Sequence, residues 1–96
     1  MSKIGPGSLK CVIAWSPQRP LAGPVGEALR KHIGREDICD IDGGGTLVHT
    51  TAAAADIRDW LATILKANES ALVLEFEMWS GYGNAVDRDW LLARGH

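Results

Sequence analysis

The sequence is poor in the residues that mark specialised classes of protein. It has two cysteines, one phenylalanine and one tyrosine among 96 residues. It has no apolar run close to the ~20 residues that a membrane-spanning helix needs, and its first residues lack the hydrophobic segment of a secretory signal. We therefore expect a cytoplasmic protein that has no membrane partner and no framework of disulfide bonds.

Motifs for a structural metal site are also missing. The cysteines, Cys11 and Cys39, and the three histidines show neither CxxC nor HxxxH spacing, so we do not expect bound zinc. Both cysteines fall in predicted strands that a third strand separates, a distance beyond the reach of a disulfide. We expect two free thiols that pack as small apolar side chains.

Charge of one sign is not in excess either. Ten Lys and Arg residues face twelve Asp and Glu residues, which gives a net charge of −2. A protein that coats nucleic acid needs clustered Lys and Arg, so this balance argues against such a role and leaves only a local basic patch open. The length fits one domain, and we expect a flexible leader at residues 1–8 and a single domain at residues 9–96.

What the chain does contain is an alternation of strand and helix patterns. The predicted strands cover 9–15, 37–42, 46–50 and 71–79, and the predicted helices cover 24–33 and 52–66, with a short last helix capped by Asn84. The glycines at 43–45 tolerate the positive φ of a hairpin between strands two and three. Two split βαβ units of this order predict an α+β, ferredoxin-like βαββαβ fold, in which two helices cover one face of a four-stranded antiparallel sheet and strands one and three are central.

Three segments resemble a known family. They are the end of strand one with a later proline (Trp15 to Pro20), a strand that passes through threonine into an acidic helix (Thr46 to Leu61), and a late strand with a glycine-broken aromatic loop and a terminal Trp-Leu (Leu72 to Leu92). In this order they resemble the small ferredoxin-like subunits of CRISPR spacer-acquisition complexes and the related SinR-like proteins of bacteria and phages. The resemblance implies a homodimer and, in the family, a divalent metal ion held by an acidic residue at the end of strand one.

The chain departs from that family at the metal position. Ser16 stands where the acidic residue is expected, and a hydroxyl is a poor ligand for a hard divalent cation. We therefore expect a non-catalytic interaction module without a cofactor, which forms a homodimer and binds a protein or nucleic-acid partner. A nuclease that acts on RNA or DNA with Mg²⁺ or Mn²⁺, and a phage-type inhibitor, are the alternatives.

Three polar residues are weak candidates for catalysis. Ser16 could act as a nucleophile only beside a base such as His32 or His49. A serine at the end of a strand is much more often the cap of the following turn, here the turn that contains Pro17. Asp40 and Asp42 share a strand face, so they could hold a metal ion or simply protect an edge strand from aggregation by their charge.

Two further sets of residues are candidates for binding. The basic set could form an anion-binding or nucleic-acid-binding rim, although charges at the end of a helix also favour its dipole without any ligand; it comprises Arg19, Arg30, Lys31 and Arg35. For the dimer interface we expect the sheet face of strand four that lies opposite Leu72, Leu74, Phe76 and Met78. This second set comprises Trp15, Val73, Glu75, Glu77 and Trp79.

Overall fold

The computed structural model describes residues 7–41 and 45–94. The strands are β1 (Ser8–Trp15), β2 (Ile38–Ile41), β3 (Gly45–Thr50) and β4 (Ser70–Phe76). The helices are α1 (Ala22–Arg30), α2 (Ala54–Ala62) and α3 (Arg88–Leu92), and a 3₁₀ turn covers Arg35–Asp37. No helix among these residues is both long enough and apolar enough to cross a membrane.

The four strands form one antiparallel sheet in the order β2-β3-β1-β4. Strand β1 is central because its residues are apolar at both parities and both of its edges are paired. The predicted α+β, ferredoxin-like arrangement is confirmed, and so are the central strands one and three. Strands β2 and β4 are the edges of the sheet.

One face of the sheet, which we call the helix face, packs against α1 and α2. Val12 and Val48 from the central strands meet Leu29 of α1 and Ile57 and Leu61 of α2 in one buried cluster. Leu29, Ile57 and Leu61 are fully buried. Each such side chain stabilises the fold by about 1.5–3 kcal/mol relative to an exposed position, so this layer contains most of the core.

Helix α2 begins two residues later than the sequence pattern predicts, and neither Thr50 nor Thr51 caps it. The Asp56 carboxylate turns back and accepts the backbone N–H of Ala53 at 3.1 Å, which is half of a capping box. The Thr50 hydroxyl oxygen accepts the N–H of Ala52 instead, at 3.2 Å. The strand thus ends in a short turn before the helix begins.

Glycine is needed where β3 begins. Gly45 has a φ of 140°, and a Cβ at this position would lie 2.8 Å from the carbonyl oxygen of Val12. A larger residue would therefore strain the backbone and collide with β1. The other two glycines of the predicted hairpin, and Asp42, lie outside the described residues.

The ends of the chain differ from the predicted boundaries. Ser8 already belongs to β1, so the predicted leader at 1–8 overlaps the sheet at its last residue, and residues 1–6 lie outside the described part of the chain. Strand β4 ends at Phe76 rather than residue 79. The last helix is capped by Asp87, whose Oδ1 accepts the N–H of Trp90 at 3.0 Å, and not by Asn84.

Candidate interaction surface

The sheet face that points away from α1 and α2, which we call the opposite face, is divided into a covered half and an open half. The covered half lies under the C-terminal segment, whose Leu91 packs on Leu9 and Leu47. All three leucines are buried. Further apolar side chains surround this second cluster: Cys11, Cys39, Ile41, Phe76, Trp79, Val86 and Trp90.

Several contacts with the 3₁₀ turn hold the C-terminal segment in place. The indole N–H of Trp90 donates to the backbone oxygen of Glu36 at 2.8 Å. The Arg94 guanidinium lies over the Trp90 ring at 4.2 Å from its centre, and its Nε lies 3.3 Å from the Asp37 carboxylate. These contacts fix α3 against one end of the sheet and leave the other end uncovered.

The open half of the opposite face carries large apolar side chains. We call the set Ile13, Trp15, Leu72 and Leu74 the open patch. Leu72 lies directly opposite Ile13 in the β1–β4 pair, and the exposed fractions are 54% for Trp15, 46% for Leu72 and 47% for Leu74. A contiguous exposed apolar surface of this kind is typical of an association site.

The open patch adjoins a free strand edge. Strand β4 pairs only with β1 among the described residues, so every second backbone N–H and C=O of Ser70–Phe76 is directed away from the sheet. The strand contains no proline and no lysine, and Glu75 is its one charged residue. The edge and the patch together form a surface on which a partner could pair with backbone groups of β4 and pack against apolar side chains.

The predicted orientation of the strand-four side chains is wrong. Val73 and Glu75, which we expected on the uncovered sheet face, lie on the helix face. Val73 packs against the core beneath the helices, and Glu75 accepts a hydrogen bond from Ser8 at 3.0 Å on that same helix face. The face with Leu72 and Leu74 is the open one. The cause is the register: Val73 lies opposite Val12, which is a core residue of the helix face.

The other predicted interface residues lie in three different environments. Glu77 is exposed beyond the end of β4, whereas Trp79 packs in the second cluster under the C-terminal segment. The Trp79 indole nitrogen is buried and has no hydrogen-bond partner among the described residues. Of the predicted set, Trp15 is the residue that lies in the open patch.

Ser16, one of the weak candidates for catalysis, belongs to a polar network. The Ser16 hydroxyl donates to Glu69 Oε2 at 3.0 Å and accepts the N–H of Gln18 at 3.1 Å. Arg19 donates to the same carboxylate through Nε at 2.7 Å and Nη2 at 2.8 Å. The Glu69 side chain is 0% exposed, and the hydrogen bonds from Arg19 above all lower the pKa of Glu69 from 4.5 to about 2. The network ties the loop after β1 to the turn before β4.

The basic candidates do not form one rim. Arg19 is committed to Glu69, and it also donates to the backbone oxygen of Ile64 at 3.1 Å. Arg30 and Lys31 are exposed at the far end of α1, so about 12 Å of helix separates them from the loop that holds Arg19. Arg35 is exposed in the 3₁₀ turn.

The acidic candidates are only partly described. Asp42 lies outside the described residues. Asp40 is exposed and accepts the Thr46 hydroxyl at 3.3 Å. Within residues 7–41 and 45–94, no group of three or more His, Cys, Asp or Glu side chains is arranged to hold a metal ion. Both cysteines are free and flank Leu47 of β3 from the two neighbouring strands.

Lys10 is a buried charged residue that the sequence patterns did not single out. It is 2% exposed, and its Nζ donates to the Ser8 hydroxyl and to the Thr50 backbone oxygen, each at 2.8 Å. Burial lowers the pKa of Lys10, and the nearby Glu75 carboxylate partly offsets this effect. A lysine near the start of the predicted strand 9–15, whose other residues are apolar, was the signal that could have revealed it.

Comparisons of the chain with protein-family models, with curated proteins and with solved structures gave no significant match. The fold and the surface define the class: an α+β protein of ferredoxin-like arrangement with exposed apolar side chains on half of one sheet face. The resemblance to the CRISPR and SinR-like subunits stays a prediction.

Proposed function

We propose that this chain is a non-catalytic interaction module that associates with a second copy of itself through the β4 edge and the open patch. The observation that carries the proposal is the exposure of Leu72 and Leu74 on an edge strand that has no outer partner among the described residues. A two-fold axis normal to the sheet would place the same strand of each copy side by side in antiparallel fashion.

The side chains of β4 are compatible with that pairing. A two-fold axis at Val73 places Leu72 of one copy opposite Leu74 of the other on the open face, which buries two apolar pairs. The same axis places Glu75 opposite Ala71, so no like charges meet within the strand. An axis at Glu75 would oppose two carboxylates and is unfavourable for that reason.

The surroundings of Ser16 support a structural role for this residue. Its hydroxyl bonds to Glu69 and to the backbone of the following turn, and the guanidinium of Arg19 neutralises that carboxylate. A nucleophilic serine needs a base that takes its proton, and the Glu69 carboxylate, whose pKa is lowered to about 2, is a weak base. The contacts of Ser16 thus favour an interaction module over a hydrolytic enzyme.

Disulfide trapping tests the proposed pairing. In a background with Cys11→Ala and Cys39→Ala, we expect the double variant Leu72→Cys, Leu74→Cys to form a cross-linked dimer under mild oxidation. The matched control is Leu92→Cys in the same background, because Leu92 is also an exposed leucine but lies on α3. A double variant that cross-links no better than this control would overturn the proposed interface.

A cleavage assay distinguishes the proposed interaction module from the alternative, a metal-dependent nuclease. Purified protein is incubated with labelled RNA and DNA in the presence of Mg²⁺ or Mn²⁺. The interaction module predicts intact substrates. Cleavage that Asp40→Ala abolishes would establish the nuclease instead.

A further inference from the structure

The second edge of the sheet borders a groove. The groove has a volume of about 790 Å³ and lies between β2 and the segment that leads into α3. Its lining includes Cys39 and Asp40 on one side and residues 84–89 on the other. This is a different part of the molecule from the open patch, which lies beside β4.

The groove runs along the outer edge of β2 rather than over one face of the sheet. Cys39 packs in the cluster on the opposite face, whereas the preceding residue, Ile38, packs on the helix face. Asp40, next in the strand, therefore shares the side of Ile38. Because Cys39 and Asp40 point to different faces and both line the groove, the groove lies at the edge between them.

The backbone at this edge is available for pairing. Strand β2 pairs only with β3 in the described part of the chain, so alternate N–H and C=O groups of Ile38–Ile41 are directed away from the sheet. Two residues of this strand, Cys39 and Asp40, line the groove. An extended chain can bond to such an edge and continue the sheet, a recognised mode of peptide binding.

The charge of the groove selects the chemistry of that chain. Three carboxylates line it, those of Asp40, Asp87 and Asp89, against one guanidinium, that of Arg88. An acidic lining attracts positive side chains and repels a phosphate backbone. The groove therefore suits a basic peptide and not a nucleic acid.

We propose that the β2 edge and the segment 84–89 form a binding groove for an extended peptide that carries Lys or Arg side chains, held by strand addition to β2. The site lies at the opposite edge of the sheet from β4, so it goes beyond the proposed self-association and does not depend on it. A dimer joined at β4 would present two such grooves at its outer ends.

Fluorescence anisotropy with a defined peptide tests the proposal. The probe is a fluorescein-labelled seven-residue peptide of alternating lysine and valine. Its first control replaces each lysine with glutamate. Two further controls carry backbone N-methyl groups on alternate residues, one on the odd and one on the even positions, because methylation removes the N–H groups that a paired strand must donate.

We expect the basic peptide to bind and the acidic peptide not to bind. At least one methylated peptide should lose about tenfold or more in affinity, because it loses hydrogen bonds to the strand. Asp40→Asn and Asp89→Asn should each weaken binding about threefold. The matched control Glu27→Gln, an exposed acid on α1, should leave it unchanged.

Three results would overturn the proposal: no binding of the basic peptide, binding of both methylated peptides as tight as that of the unmodified peptide, or equal binding by the Asp40→Asn, Asp89→Asn and wild-type proteins. The mass of each variant is measured in parallel. If the protein is a dimer but does not bind the basic peptide, the groove proposal is refuted and the proposed self-association is not affected. If the protein is a monomer that binds the peptide, only the proposed self-association is refuted.

Discussion

Leu72 lies directly opposite Ile13 on neighbouring strands, and both side chains point away from the two main helices. The residues next to them in sequence, Val73 and Val12, lie opposite each other as well and pack in the helical core. The β1–β4 pair is thus apolar on both faces, but at this end of the sheet only one face is covered. An uncovered apolar face beside an unpaired edge is the basis of the proposed self-association.

Leu72→Glu is expected to abolish self-association without unfolding the domain. The side chain is half exposed in the single chain, so a carboxylate costs little there but would be desolvated against a second copy. Sedimentation velocity over a range of concentrations measures the effect, and thermal melting verifies the fold. Leu92→Glu is the control and should assemble as the wild type does, whereas an assembled Leu72→Glu protein would place the interface elsewhere.

Glu69 makes the stability depend on pH in the acidic range. Its pKa is 4.5 in the unfolded reference and about 2 in the folded protein, so the unfolded chain binds more protons between these values. The stabilisation is therefore fully present above about pH 4.5 and is lost as the pH falls toward 2. Urea unfolding across this window should show a smaller loss of stability for Glu69→Gln than for the wild type.

Glu27→Gln serves as the control for that measurement, because Glu27 is an exposed carboxylate on α1. It should keep the wild-type dependence on pH. Equal slopes for Glu69→Gln and the wild type would show that the Ser16, Arg19 and Glu69 network does not stabilise the folded state.

Lys10 is expected to make the free energy of unfolding depend on pH in the alkaline range. The cause differs from that for Glu69, because burial disfavours the charged form of Lys10. Burial lowers its pKa below 10.5, so between the folded value and 10.5 the unfolded chain binds more protons and the free energy of unfolding rises with pH. Lys10→Met removes this dependence. The wild-type stability minus that of the variant should thus increase as the pH rises toward 10.5; the thiols of Cys11 and Cys39 titrate in both proteins and cancel. A constant difference would mean that Lys10 is not desolvated.

The C-terminal segment is expected to stabilise the covered half of the sheet through Leu91. Leu91 is buried, whereas Leu92 is exposed on the same helix. Truncation of a buried leucine leaves a cavity, so Leu91→Ala should lower the free energy of unfolding by about 2–3 kcal/mol. Leu92→Ala should change it by less than about 0.5 kcal/mol. Equal effects of the two variants in chemical denaturation would contradict the docking of α3 on the opposite face.

The order of elements and the sheet topology could be predicted from the sequence because they depend on local signals. Apolar periodicity, the glycines before β3 and the right-handed crossover rule are sufficient for β2-β3-β1-β4. The start of α2 could not be predicted in this way. Two threonines precede the alanine run, but Asp56 reaches back to Ala53 and provides the cap, and the sequence does not reveal which polar side chain wins.

The facing of β4 could not be predicted from its own residues. Both parities are partly apolar, and the larger side chains, Leu72 and Leu74, suggest a core face. The register with β1 decides the matter, because it places the smaller Ala71 and Val73 beside Ala14 and Val12 under the helices. Such a register is a long-range property, so the sequence alone did not show that Val73 packs in the core while Leu72 and Leu74 are exposed.

Light scattering of the purified chain at tens of micromolar decides whether it self-associates at the β4 edge. One chain has a mass of 10.3 kDa, so we expect about 21 kDa for a wild-type dimer. We expect the Leu72→Glu protein to return to about 10 kDa. A wild-type mass of 10.3 kDa at that concentration would show that the chain does not pair through β4.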